Sequence, residues 1–200
     1  IESNPDIARI ARINMFLHGD GGSSIYRADT LDKEFHVEAG EARRSRDEIL
    51  ELQDLLEKQA KQFDVILTNP PFASSYSTAD EHEKRILAQY AEMRSATTAL
   101  KAKRSAKSNV LFLARYYDLL KAGGRMAIVI DNSLINSHNF AEYRAWMLEK
   151  FILRAVISLP KYSFIQAGAG GVTSILYLEK KSDESEQQPA VFARTVGYTG

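Results

Sequence analysis

The order of hydrophobic patterns along this chain predicts an α/β fold, a mostly parallel sheet with helices on both faces and an antiparallel last strand. Three observations carry the expectation. Short apolar runs rich in Val and Ile alternate with stretches of helical periodicity. The run Met126 to Ile130 is continuously apolar, as parallel strands buried on both sides are. The final run, VTSILYLEKK, alternates more, as an antiparallel edge partner would.

Each element has its own signal. Asn4, Pro5 and Asp6 start a helix with a capping side chain, a proline in the first turn and an acid near the N-terminus. Ile7, Ile10, Ala11, Asn14 and Leu17 share its face, and Gly19 stops it, so residues 5–18 are helical. Ser23 to Leu31 has the β-branched and aromatic content of a short strand ending near Ala28 and Asp29. Glu41 to Gln62 carries Ile49, Leu52, Leu55 and Leu56 at helical spacing. Val65 to Thr68 is the next strand, and residues 73–108 form a polar loop with a helix between Glu81 and Met93. Val110 to Leu120 is an apolar helix that a Gly-Gly turn connects to the strand Met126 to Ile130. A helix from Phe140 to Glu149 and a strand from Arg154 to Leu159 follow, and SDESEQQP after the last strand has the composition of a linker.

Composition narrows the function. The chain has 200 residues, 44% of them hydrophobic, which is material for one domain with a substantial core. No run approaches the roughly 18 apolar residues of a membrane span, and the start lacks a basic region followed by an apolar one, so a cytoplasmic protein is expected. The absence of cysteine excludes a disulfide framework, a thiolate zinc site and a cysteine nucleophile. His18, His36, His82 and His138 lack the pairing of a helical metal site, and no metal is assigned. Lys and Arg number 26 and so do Asp and Glu, so any contact with a polyanion must come from a local patch. Lys101, Lys103, Arg104 and Lys107 are the candidate patch for a DNA backbone, or else a solvated face.

The stretch FDVILTNPPF carries the chemistry. In a parallel α/β sheet, ligands sit beyond the carboxyl ends of the strands, which is where Asn69, Pro70, Pro71 and Phe72 fall. Two successive prolines fix φ and donate no hydrogen bonds, giving a stiff loop with a bare carbonyl and an amide oxygen. Such a pair of acceptors suits an exocyclic amino group, whose two N–H bonds need two partners. With Asn69 Oδ1 and the Pro70 carbonyl each accepting one N–H, the nitrogen is drawn toward tetrahedral geometry and its lone pair is aimed at an electrophile. Phe72 would stack on the base. The alternative is a plain turn ending a strand, with Phe72 as a core plug.

Asn69-Pro70-Pro71-Phe72 resembles the catalytic motif of amino-group methyltransferases that use S-adenosylmethionine. The blocks IARINMFLHG, FDVILTNPPF, LKAGGRMAIVI, AVISLPKYSF and VTSILYLEKK, in that order, resemble the modification subunit of type I restriction-modification systems, an N6-adenine DNA methyltransferase family. The resemblance covers residue 1 to about residue 181. It implies a Rossmann-like class I methyltransferase fold and S-adenosylmethionine as cofactor. Glu2 matches the acid that binds the cofactor ribose hydroxyls, or is a solvated chain end. Asp29 matches the acid that accepts from the cofactor's adenine amino group, with Ala28, Thr30 and Leu31 as neighbouring cofactor contacts and Leu31 packing on the ring, or is a helix or turn cap. Asn69 is also implied as a cofactor contact. Phe164 matches an aromatic near the target-base pocket, or packs in the core. Implied partners are DNA, a specificity subunit that reads the sequence, a second modification subunit and, as a further candidate, a restriction subunit.

The chain departs from the family in one respect. The strand and glycine-rich loop expected ahead of Glu2 are not in it, since Gly19-Asp20-Gly21-Gly22 follows a helix and Gly168 to Gly171 lies late. Residues 1–181 are therefore expected to be a catalytic domain lacking its N-terminal part, with residues 182–200 a linker and the start of a C-terminal segment. Two rivals remain: methyl transfer to a ribosomal RNA base amine or a protein glutamine, and a truncated assembly subunit without activity. Cytosine C5 methylation is excluded, because it needs a thiolate.

Overall fold

The structure is a computed structural model that describes residues 1–21, 24–36, 43–58, 62–72, 74–91, 93, 105–161, 163–164 and 171–197. The chain divides into two compact units, Ile1–Lys61 and Gln62–Gly200.

In the first unit, helix α1 (Pro5–Leu17) starts as its sequence requires. The Asn4 side chain accepts the N–H groups of Asp6 and Ile7 at 2.9 and 3.2 Å, and Pro5 occupies the first turn. At the other end Gly19 takes φ +81° and its N–H donates to the Phe16 carbonyl. The expected apolar face is exposed: Ile7, Ile10 and Leu17 are open to solvent, and Ala8 is the buried residue of this helix. Helix α2 (Arg43–Gln53) continues into a π-helical turn, Asp54–Lys58. Its Ile49 and Leu52 are buried with Tyr26, Ala28 and Phe35, and Leu55 and Leu56 pack against that cluster.

The expected strand from Ser23 to Leu31 does not form in the described residues. A strand requires a ladder, and here a single parallel bridge joins Arg27 to Glu2, through Glu2 N–H to the Tyr26 carbonyl and Ala28 N–H to the Glu2 carbonyl at 2.9 and 3.2 Å. The chain then enters turns, with the Leu31 N–H on the Asp29 carboxylate at 2.8 Å.

The second unit holds a five-stranded sheet of β1 (Phe63–Thr68), β4 (Leu120–Asp131), β5 (Phe151–Ser158), β6 (Thr173–Lys180) and β7 (Phe192–Thr195), in the order β1-β4-β6-β5-β7. Two short strands, β2 (Ser75–Ser77) and β3 (Ser105–Lys107), pair antiparallel inside the region expected to be a loop. The helices are α3 (Glu81–Ala88), α4 (Ser108–Leu119), a single turn α5 (Ser133–Asn136) and α6 (Ala141–Lys150).

The strands β1, β4, β5 and β7 point one way, and β6 alone runs against them. The antiparallel strand is not at an edge, as its alternation suggested, but lies between β4 and β5. Nor is the segment after Lys181 a free linker. Gln188 uses its side chain as a surrogate strand, accepting the Leu153 N–H at 3.0 Å and donating to the Leu153 carbonyl at 2.8 Å, and β7 then pairs with β5. Along β4, Met126, Ile128 and Ile130 are buried while Ala127 and Val129 are half-buried. Helices α4, α5 and α6 gather over the face that carries Ile130, Val156 and Leu176.

The Gly-Gly pair lies within β4 as a bulge. Phe63 pairs with Leu120 and Val65 with Arg125, so two steps on β1 match five on β4, and Gly123 takes φ +72° in the excess.

Candidate active site

Strand β1 ends on Thr68, and Asn69 to Phe72 follow at the carboxyl end of the parallel strands. Asn69 and Pro71 are exposed, Pro70 is buried and Phe72 is half-buried. Among the described residues no hydrogen bond engages the Asn69 carboxamide or the Pro70 carbonyl, whereas the Pro71 carbonyl is taken.

The aromatic pair expected to meet a base does converge. Phe72 and Phe164 stand edge to face with ring centroids 5.9 Å apart, although 92 residues separate them in sequence (164 − 72). Phe164 reaches this place because β5 also ends at the carboxyl edge of the sheet, and the Pro160 carbonyl accepts both the backbone N–H and the hydroxyl of Ser163, turning the chain.

Helix α4 holds the motif from behind. The Ser108 hydroxyl donates to the Pro71 carbonyl at 3.0 Å and its N–H donates to the Ser74 carbonyl at 3.0 Å. That second bond also gives the helix its missing cap, since Lys107 at the N-cap makes no side-chain bond. Eight residues on, the Tyr116 hydroxyl lies 2.6 Å from Thr68 Oγ1. Burial raises the Tyr116 pKa above its ordinary value and the Thr68 bond pulls it the other way, so the phenol stays neutral in this contact. The neighbouring Asn109 is buried with neither side-chain polar atom paired.

Sequence reasoning missed Ser108 and Tyr116, because a serine in a first helical turn and a tyrosine on an apolar face carry no sign of what they touch. A second polar group at the same end of the sheet was also unforeseen: the Ser174 hydroxyl donates to Asn132 Oδ1 at 2.7 Å, and the Ser133 N–H donates to the Asp131 carboxylate at 2.7 Å.

In the first unit, the bridge at Glu2 brings Glu2 beside Ala28 and hence the Asp29 turn. Glu2 also accepts the Asn4 N–H at 2.7 Å. Asp29 and Thr30 are half-buried, whereas Leu31 is wholly buried and Ala28 belongs to the core cluster. Asp29 therefore acts as a turn cap, its carboxylate accepting the Leu31 N–H.

Of the basic candidates, Lys101, Lys103 and Arg104 lie outside the described residues. Lys107 is exposed, with its ammonium 5.6 Å from the centre of the Phe140 ring. An apolar cavity of about 120 Å³ opens among Leu113, Ile130, Tyr143, Met147, Val156 and Leu176. None of Asn69 to Phe72 or Phe164 lines it, and its walls offer no convergent polar groups, so it is not the site of the chemistry. Among the described residues no helix is long and apolar enough to cross a membrane.

A protein-family model described as N-6 DNA methylase matches residues 1–195. The chain belongs to the N-6 DNA methylase family. Its fold is that of class I S-adenosylmethionine-dependent methyltransferases, as the mostly parallel sheet with one reversed strand already indicated. A Vibrio vulnificus protein described as a modification subunit of a type I restriction enzyme superposes with a TM-score of 0.68 at 20% identity, over 99% of this chain and 34% of that one. The type I restriction-modification methyltransferase subunit of Streptococcus thermophilus gives 0.60 at 25% identity, over 88% and 32%. The protein DrdV, solved as a DNA complex, gives 0.67 at 18% identity, over 94% and 20%. The chain thus spans about a third or less of the length of these structures. No curated protein matches it in sequence.

Proposed function

We propose that this N-6 DNA methylase chain carries the catalytic part of an enzyme that transfers a methyl group from S-adenosylmethionine to the N6 amino group of adenine in DNA, as the modification subunit of a type I restriction-modification system. One observation carries the reading: Asn69 and Pro70, whose side-chain and main-chain oxygens take no bond among the described residues, stand at the carboxyl end of β1, next to the converging rings of Phe72 and Phe164.

An adenine amine is a poor nucleophile because its lone pair is delocalised into the ring. Two acceptors on its two hydrogens localise that pair and orient it, and their placement on a stiff proline loop means little reorganisation is needed during reaction. The Phe72 and Phe164 rings offer a face and an edge to a base taken out of the stack.

Bound S-adenosylmethionine would supply an electrophilic methyl group. The donor set of the first unit suits it: a carboxylate at Glu2 for a ribose diol, and one at Asp29 for an adenine amine. Lys101, Lys103, Arg104 and Lys107 would contact phosphates, which is a positioning role and carries no sequence information. Sequence reading would then fall to a specificity subunit, in an assembly holding a second modification subunit and, for cleavage, a restriction subunit.

The test is Asn69→Ala in the full-length protein assembled with its partner subunits. Methyl incorporation into target DNA should fall by about 100-fold or more, with cofactor affinity within about twofold because the carboxylates that hold it are untouched. Unchanged incorporation would sink the assignment. Methyl label recovered in ribosomal RNA or glutamine would favour the rival substrates, and cofactor binding with no transfer by the native protein would favour an assembly role.

A further inference from the structure

We infer that helix α4 is a splint for the catalytic loop, with Ser108 and Tyr116 as positioning residues that set the distance between Thr68 and Pro71 and so the geometry of Asn69 and Pro70. The inference rests on the proposed role of Asn69.

The loop cannot anchor itself. Pro70 and Pro71 have no N–H, so they contribute only carbonyls, and a donor must come from elsewhere. Ser108, which is wholly buried, provides two from one residue, its hydroxyl to Pro71 and its N–H to Ser74, on either side of Phe72. The Thr68 to Tyr116 bond at 2.6 Å fixes the chain just ahead of Asn69. The motif is therefore gripped immediately before Asn69 and immediately after Pro70, and by a single rigid element.

Dimensions agree with such a role. Eight residues of α-helix, from Ser108 to Tyr116, rise about 12 Å, and three extended residues, from Thr68 to Pro71, span about 10 Å. The two lengths are comparable, so a single helix can reach both ends of the motif. With the Pro71 carbonyl occupied, the Asn69 oxygen and the Pro70 carbonyl are the acceptors of the motif that no described residue engages.

A change of about 1 Å in the position of a reacting group is enough to cost 100-fold in rate. The test is a double-mutant cycle on the full-length protein with its partner subunits, read as single-turnover methylation of DNA. Ser108→Ala and Tyr116→Phe are each made in the native and in the Asn69→Ala background. Tyr116→Phe keeps the ring packed and removes only the hydroxyl, which guards against a Ser108 variant that fails to fold. Each substitution should slow the native enzyme by about tenfold while KM for DNA and cofactor affinity move by less than about twofold. In the Asn69→Ala background the same substitutions should cost clearly less than in the native enzyme, because only the Pro70 carbonyl is left to aim. Rates unchanged by both substitutions would overturn the inference, as would equal losses in the two backgrounds, the mark of general destabilisation. If Asn69→Ala itself keeps the full rate, the proposed function fails. If Asn69→Ala is crippled while the two α4 variants are fast, only the splint fails.

Discussion

Asp32 shows how much a single buried carboxylate can organise. It is 3% exposed and accepts the N–H groups of Glu34 and His36 at 3.1 and 3.0 Å, with His36 Nδ1 at 3.1 Å from the same group. These bonds bend the chain so that Phe35, at φ +47°, enters the core beside Ile49 and Leu52. A positive φ is costly for a bulky side chain, so the bonds to Asp32 must outweigh it. The same turn follows directly on Asp29, the carboxylate proposed to hold the cofactor's adenine. Asp32→Ala leaves two backbone donors without their acceptor and should lower stability by about 2–3 kcal/mol. Urea unfolding followed by circular dichroism would measure it, and a loss below about 0.5 kcal/mol would show that water replaces the carboxylate. Nothing in the local sequence marks Asp32 as different from Asp29, since both read as turn residues, and only burial separates them.

At the scale of elements, local signals proved legible and pairings did not. The start and stop of α1 lie in Asn4, Pro5 and Gly19, and the apolar stripe of α2 in Ile49 and Leu52, because helix signals are contained within a few residues. Strand β7 was invisible for the opposite reason. Its residues Phe192 to Thr195 are all exposed and acquire extended structure only from Ala155 to Ser158, distant in sequence. The interior place of β6 is likewise a property of its neighbours. At the site, Asn69 to Phe72 were legible because two prolines and an amide make a local device, whereas their grip by Ser108 and Tyr116 is a long-range contact. The bulge in β4 offers a test at this scale. A Cβ on Gly124 would stand 2.8 Å from the Lys121 carbonyl and 3.2 Å from the Phe63 carbonyl, both backbone atoms that cannot swing aside. Gly124→Ala should destabilise the second unit by about 1–3 kcal/mol, read as a lower urea midpoint. A neutral result would mean that the bulge can unwind without disturbing β1.

For the molecule as a whole, the consequential feature is the outer edge of the sheet. Among the described residues β1 pairs on one side only, with β4, so its other side presents unpaired backbone N–H and C=O groups. Phe63, Val65 and Leu67 point to one face of this strand and are 36%, 55% and 79% exposed, a run that is apolar, β-prone and free of Pro. The opposite edge, β7, is shorter and carries Arg194, which discourages pairing with another chain. The 200-residue chain by itself should therefore self-associate through β1, and the formal charge of zero gives no general repulsion to oppose it. Leu67→Lys places a charge on the most exposed apolar position of that strand, where no described core contact is lost, and it should shift the chain toward monomer. Sedimentation velocity over a concentration series distinguishes the cases. A concentration-dependent increase in mass for the native sequence that disappears in Leu67→Lys supports association at β1. The same increase in both places the contact elsewhere, the foremost candidate being the exposed Ile10, Phe16 and Leu17 of α1.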